Sequence, residues 1–159
     1  MDFDDLFQKE ITLMNGEFED QAAFFTEVAA ILEQADYVAR SFREAIIERE
    51  SAFPTGLEMN GMIIAIPHTD TVHVKRPFVC VSHLKKPLQF IQMGTTDKVI
   101  EAEIIFVLGI CDTASQVPLL AMIMDRFAQK TFTEELRKKK DLDELTLFLK
   151  KQFGRMIER

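Results

Sequence analysis

Two stretches of the chain are apolar without a break, residues 62–66 (Met-Ile-Ile-Ala-Ile) and 104–110 (Ile-Ile-Phe-Val-Leu-Gly-Ile). Such runs suit strands of a sheet covered on both faces, because half-exposed strands alternate apolar with polar positions. A third run, 77–84, predicts another strand, hairpinned through Lys85-Lys86-Pro87 to 88–90. Elsewhere the period lengthens: Phe24, Val28, Ile31, Leu32 and Ala35 follow helical spacing, predicting an amphipathic helix from Glu19 with Glu19 and Asp20 in its first turn. A second helix is expected at Ser41, where Ser41-Phe42-Arg43-Glu44 fits a capping box and Phe42, Ala45 and Ile46 form the apolar stripe. Further helices are predicted over 117–127, with Pro118 in the first turn, from Thr131 or Thr133, and from Asp141. The opening residues read as one helical turn about Phe3 and Leu6-Phe7, then an edge strand from Glu10 to Met14 closed by Asn15-Gly16.

Alternating strands and helices predict an α/β fold, a three-layer α/β/α sandwich about a mixed central sheet of four or five strands. A chain of 159 residues suits a single domain, 1–159. No apolar run approaches the ~20 residues of a membrane span, and the acidic start Met1-Asp2-Phe3-Asp4-Asp5 lacks the basic opening of a secretory signal. A cytoplasmic location without direct membrane insertion is therefore expected. The formal net charge of −7 argues against a nucleic-acid partner. Arg137-Lys138-Lys139-Lys140 reads as a solvated helix terminus. Cys80 and Cys111 sit in apolar runs with no metal or redox spacing, and are read as buried free thiols.

The chemistry concentrates where the first apolar run stops. Pro67 has no N–H for a sheet ladder and holds Ile66 extended, so His68 leaves the carboxyl end of a strand, where open α/β sheets place their ligand chemistry. Arg49 lies three residues past Ile46 and seven past Phe42, on the stripe facing the protein, and is read either as a snorkelling side chain or as an anion ligand. The second apolar run exits into Asp112, Thr113, Ser115 and Gln116 at a helix start, whose N–H groups suit a phosphate. His68, Asp70 and His73 also offer metal-ligand spacing, a rival reading with little supporting ligation, since His83 falls in strand-like sequence and is assigned to structure. No phosphate-cradling glycine loop is present, so ATP is not the expected donor.

Phe53-Pro54-Thr55-Gly56, Ala65-Ile66-Pro67-His68 and Lys75-Arg76-Pro77, with Arg49 ahead of them, resemble the mannitol/fructose class of enzyme IIA domains of the phosphoenolpyruvate-dependent sugar phosphotransferase system, the galactitol subunit being the nearest likeness. The resemblance spans residues 38–153. It implies the same layered architecture, a single enzyme IIA domain, and a phosphoryl carrier histidine at His68. It also implies a phosphate-site arginine at Arg49; because phosphoryl transfer needs donors for the equatorial oxygens, the N–H groups around Ser115 and Gln116, and Thr69, are the further candidates. The donor it implies is the phosphohistidine form of the carrier HPr, and the acceptor a cysteine of a IIB protein, with a membrane IIC contacting the sugar. No cofactor is expected. The chain departs from the mannitol branch twice: Gln116 stands where that branch has a second active-site histidine, and Met62 where it has a glutamate. Both departures weaken a mannitol assignment, and Gln116 resembles the galactitol branch, so a galactitol-like sugar or sugar alcohol is expected. A regulatory IIA-like module, whose phosphorylation state is itself the signal, is the alternative.

Overall fold

The computed structural model describes residues 3–154; Met1, Asp2 and the last five residues, 155–159, lie outside the described residues. Two single turns, Asp4–Leu6 and Lys9–Ile11, lead into the short edge strand β1 (Leu13–Gly16). Helix α1 (Gln21–Gln34) starts two residues later than its pattern suggests, because the Asp20 carboxylate accepts from the Ala23 N–H and makes Asp20 the cap. Helix α2 (Phe42–Ala52) starts at the expected place without its capping box. The Ser41 hydroxyl turns instead to Nδ1 of His73, 2.7 Å away.

Strand β2 (Gly56–Met59), which the sequence pattern does not announce, pairs antiparallel with β3 (Met62–Ala65) through Asn60-Gly61. Both turn residues have positive φ, 55° and 77°, as the favoured two-residue hairpin turn requires. The hairpin expected at Lys85-Lys86-Pro87 does not form. Residues on both sides belong to one strand, β4 (Phe78–Ile91), whose register against β5 (Val99–Gly109) jumps from His83 opposite Ile104 to Leu88 opposite Ala102. Pro87 sits in that irregular stretch, where no ladder N–H is needed. Helix α3 (Thr113–Phe127) begins four residues before the expected start, because Asp112 caps it by accepting from the Ser115 N–H. Pro118 consequently lies beyond the first turn, and leaves the Ala114 carbonyl without its helical donor. Helices α4 (Lys130–Lys138) and α5 (Leu142–Phe153) follow; Asp141 caps α5 as expected.

The five strands form one mixed sheet in the order β1-β4-β5-β3-β2. β3 and β5 run parallel as neighbours, so both deliver their carboxyl ends to one edge, where β2, antiparallel to β3, begins. Alternate strand residues face opposite ways and build two cores. One packs Phe78, Cys80, Ile105 and Val107 against α1 and α2, and the other packs Val79, Val81, Phe106 and Leu108 against α3, α4 and α5. This is the expected three-layer sandwich. Phe106 anchors the second core, with ring centroids 6.1 Å from Phe7, 5.3 Å from Phe127 and 6.1 Å from Phe153. Cys80 is buried as expected and its thiol pKa is pushed up to about 12 by loss of solvent. Cys111 is exposed, against expectation, because it lies past the end of β5 in the turn before α3.

Gly109 is opposite Phe78 at the end of β5, and a Cβ there is driven into the Phe78 ring. Gly109→Ala should lower stability by about 1–3 kcal/mol through overpacking. A thermal midpoint equal to wild type would show that the Phe78 ring moves aside freely.

Candidate functional site

Four segments meet at the sheet edge where β3 and β5 end. The last turn of α2 brings Arg49 and Glu50, the start of β2 brings Thr55, the exit of β3 brings His68, Thr69 and Asp70, and the exit of β5 brings the cap of α3. Pro67 stays joined to β5, its carbonyl accepting from the Leu108 N–H at 2.9 Å, so the segment carrying His68 is fixed beyond the formal end of β3.

His68 is half-buried, with Nδ1 2.9 Å from the Ile66 carbonyl oxygen. A carbonyl only accepts, so the contact is a hydrogen bond when Nδ1 carries the proton, which leaves the lone pair on Nε2. Nε2 has no hydrogen bond to any described residue. Loss of solvent lowers the pKa of His68 from its ordinary 6.5, and the positive charge of Arg49 pushes the same way, against the Ile66 hydrogen bond and the Asp70 charge. The ring is therefore neutral at neutral pH, with one nitrogen available as a nucleophile.

Arg49 is neither buried nor free. Its guanidinium is 3.2 Å from Asp70 Oδ1 and lies over the Phe53 ring, 5.1 Å from the centroid. Asp70 is largely exposed and the Arg49 side chain 36% exposed, so the ion pair is weak and an incoming dianion can compete for the arginine. Arg49, Thr69 and Asp70 line one cleft of about 390 Å³ with Phe53 and His73. Ser115 lines a different cleft, with Cys111 and Asp112. Its N–H and hydroxyl both turn to the Asp112 carboxylate, at 2.9 and 3.3 Å. Gln116 is half-buried in the same first turn, and its side-chain amide bonds to no other described residue. The rival metal set is dispersed: Asp70 pairs with Arg49, His73 with Ser41, and His68 Nδ1 with Ile66. Among the described residues no group of three His, Cys, Asp or Glu converges to hold a metal ion. His83 serves structure, its Nε2 donating to the Leu136 carbonyl at 3.1 Å. A cleft of about 420 Å³ beside it, at the opening of β3, contains an arginine already engaged by both oxygens of Glu103.

Residues 5–152 match the family described as "Phosphoenolpyruvate-dependent sugar phosphotransferase system, EIIA 2". The chain belongs to that family. It is thus a component of the phosphotransferase system. The galactitol-specific EIIA component of Escherichia coli K12 is 24% identical to this EIIA chain over 119 residues, covering 75% of the chain and 79% of the relative. The solution structure of the mannitol-specific cryptic enzyme IIA CmtB of Escherichia coli has the same fold, with TM-score 0.74 at 15% identity, covering 95% of this chain and 99% of that one. The enzyme IIAMTL in complex with phosphorylated enzyme IIBMTL of Escherichia coli also matches, with TM-score 0.69 at 17% identity over 88% and 94% of the two chains. Among the described residues of this EIIA chain, no helix is long and apolar enough to cross a membrane.

Sequence reasoning missed Glu50, a carboxyl only 3% exposed. A signal was present: Phe42, Ile46 and Glu50 are spaced by four and are the three buried residues of α2, so an acid continues the apolar stripe. Its oxygens accept from the Thr55 N–H at 2.8 Å and the Thr55 hydroxyl at 2.9 Å, yet desolvation dominates and pushes its pKa from 4.5 up to about 7. Between these values the folded chain holds a proton that the unfolded chain has lost. The resulting stabilisation is complete below pH 4.5 and is lost as pH rises through about 7. Relative to non-titrating Glu50→Gln, wild type should lose on the order of 3 kcal/mol of unfolding free energy across that window. Urea unfolding of both proteins at several pH values measures the difference, and parallel curves would contradict it.

Proposed function

We propose that this EIIA chain, acting as a single domain over residues 1–159, accepts a phosphoryl group on His68 Nε2 from the phosphohistidine form of HPr. It then passes the group to a cysteine of a IIB protein, in the cytoplasm, for uptake and phosphorylation of a galactitol-like sugar alcohol through a membrane IIC. The observation that carries the reading is the His68 ring, neutral, half-buried, with Nδ1 committed to Ile66 and Nε2 open. In the transfer, the Nε2–P bond forms as the N–P bond of the donor breaks. The donor ring, carrying a proton on its other nitrogen, departs with the bonding pair as a neutral imidazole, and Nδ1 of His68 keeps its proton against the carbonyl, so the positive charge passes from the donor ring to the His68 ring with the phosphoryl group. No cofactor enters the step.

Phosphoryl transfer demands positioning and charge stabilisation more than covalent help from the protein. Arg49 is assigned to the phosphoryl oxygens, exchanging its exposed Asp70 partner for the stronger dianion. Thr69, beside His68 and in the Arg49 cleft, and the free Gln116 amide add neutral donors. Ser115 contributes by holding the start of α3 in place, since its own donors are engaged by Asp112. The 24% likeness to the galactitol component supports the sugar-alcohol assignment, and the structural neighbour seen with phosphorylated IIB supports a IIB partner.

Incubation with phosphoenolpyruvate, enzyme I and HPr should add one acid-labile, base-stable phosphoryl group to the wild type, and none to His68→Ala. The same label on His68→Ala would overturn the assignment, whereas His73→Ala and His83→Ala should label normally. Because the pKa of His68 is lowered, the acid limb of the labelling rate should have its midpoint below 6.5.

Arg49→Gln should slow transfer by about 2–3 kcal/mol in activation free energy, the scale of a lost charge-assisted contact, with a smaller change in stability. Gln116→Ala, which removes one neutral hydrogen bond, should slow transfer by no more than about tenfold. Single-turnover transfer from phospho-HPr compares the two. A larger loss in Gln116→Ala than in Arg49→Gln would reverse the roles given to them.

A further inference from the structure

Glu50 takes no part in the transfer step described above, and among the described residues no Lys, Arg or His pairs with its buried carboxyl. Its hydrogen bonds instead lead toward His68. Thr55 gives the carboxyl both of its donors, N–H and hydroxyl, so the Thr55 oxygen faces away with its lone pairs. That oxygen accepts from the Ile66 N–H at 3.2 Å. In the β2–β3 register Gly56 is opposite Ala65, so Thr55 would oppose Ile66 as the next pair. The strand ends there, and the Thr55 side chain supplies the acceptor that a main-chain carbonyl supplies inside a ladder. Ile66 is thus clamped on one side by Thr55, and the next residue, Pro67, on the other by Leu108. Between the two clamps, the Ile66 carbonyl accepts from His68 Nδ1.

We infer that Glu50 and Thr55 are positioning residues for His68, holding the Ile66 carbonyl where it keeps the ring proton on Nδ1 and the lone pair on Nε2. Thr55 alone cannot do this as well. A threonine hydroxyl rotates freely, and only when its proton is committed to a carboxylate is its oxygen directed as an acceptor at the Ile66 N–H. The network is dry, with Glu50, Thr55 and Ile66 respectively 3%, 6% and 3% exposed, so water does not substitute for a missing member. The consequence for transfer rests on His68 being the phosphoryl acceptor, but the ring tautomer does not.

Nitrogen-15 NMR of the histidine rings of the unphosphorylated full chain, at about pH 8 where imidazole is neutral, reads the tautomer directly. Wild type and Thr55→Ser should show His68 almost wholly in the Nδ1–H form. Thr55→Val, which keeps the shape and removes the hydroxyl, should shift it toward the Nε2–H form that free imidazole prefers, and Glu50→Gln should shift it in the same direction by less. Labelling by phospho-HPr should fall about tenfold in Thr55→Val and recover to within about twofold in Thr55→Ser. If Thr55→Val proves too unstable, Glu50→Gln, which removes the charge without changing shape, carries the test. A tautomer ratio unchanged in whichever variants fold, with lower melting as the only effect, would overturn the inference and reduce the network to a turn clamp. Labelling of His68→Ala would refute the carrier assignment while leaving the tautomer result intact, so the two failures are distinguishable.

Discussion

Parallel neighbours in a sheet cannot be joined by a tight turn, and the pairing of β3 with β5 is the constraint from which the site follows. Each strand must leave the sheet at the same edge and travel before returning, so two loop exits and a helix start open side by side there. The β2–β3 hairpin adds the incoming end of β2 to that edge, and with it the end of α2. Chemistry-bearing residues from α2, β2 and the exit of β3 therefore converge there with the cap of α3, which lies far along the chain from the other three. The long central strands and the two aromatic cores hold this edge rigidly, since a single ring such as Phe106 touches residues from the N-terminal turns, α3 and α5.

The electrostatics of the edge are set more by missing solvent than by paired charges. His68 and Glu50 are both displaced from their ordinary titration by burial, in opposite senses of charge, and each is pushed toward its neutral form. Among the described residues the ion pair beside His68 is Arg49 with Asp70, at the exposed rim. At that rim Arg49 can exchange its exposed carboxylate partner for an anionic group arriving from outside.

Much of this was legible in the sequence, for identifiable reasons. The unbroken apolar runs reported buried strands because burial on both faces leaves no place for polar alternation, and Pro67 marked where one of them ends. The layered fold followed from the alternation of periods. Three failures have separate physical causes. Ser41 has capping chemistry but bonds to His73, Lys85-Lys86-Pro87 has turn chemistry but remains within a strand held by β5, and Asp112 starts α3 a turn early by capturing the Ser115 N–H. The stripe of Phe42 and Ile46 points to Glu50, whereas no pattern marks Thr55, which lies past the end of α2 in the turn Phe53-Pro54-Thr55-Gly56. The metal reading of His68, Asp70 and His73 rested on spacing alone, which carries no information about where each side chain points.

The misread segment of β4 has a consequence for the molecule in company. β1 reaches only as far as Leu84, so among the described residues the outer half of the fourteen-residue β4 has no strand beyond it on that side and its main chain is a template for another sheet. Lys85, Lys86 and Pro87 are exposed at the start of that free stretch, two cations and a residue that cannot donate, and Gln21 covers the Gln89 carbonyl further along. These are the means by which sheet proteins discourage edge-to-edge recruitment. The residues that imitate a turn thus act as gatekeepers on the unpaired border of β4.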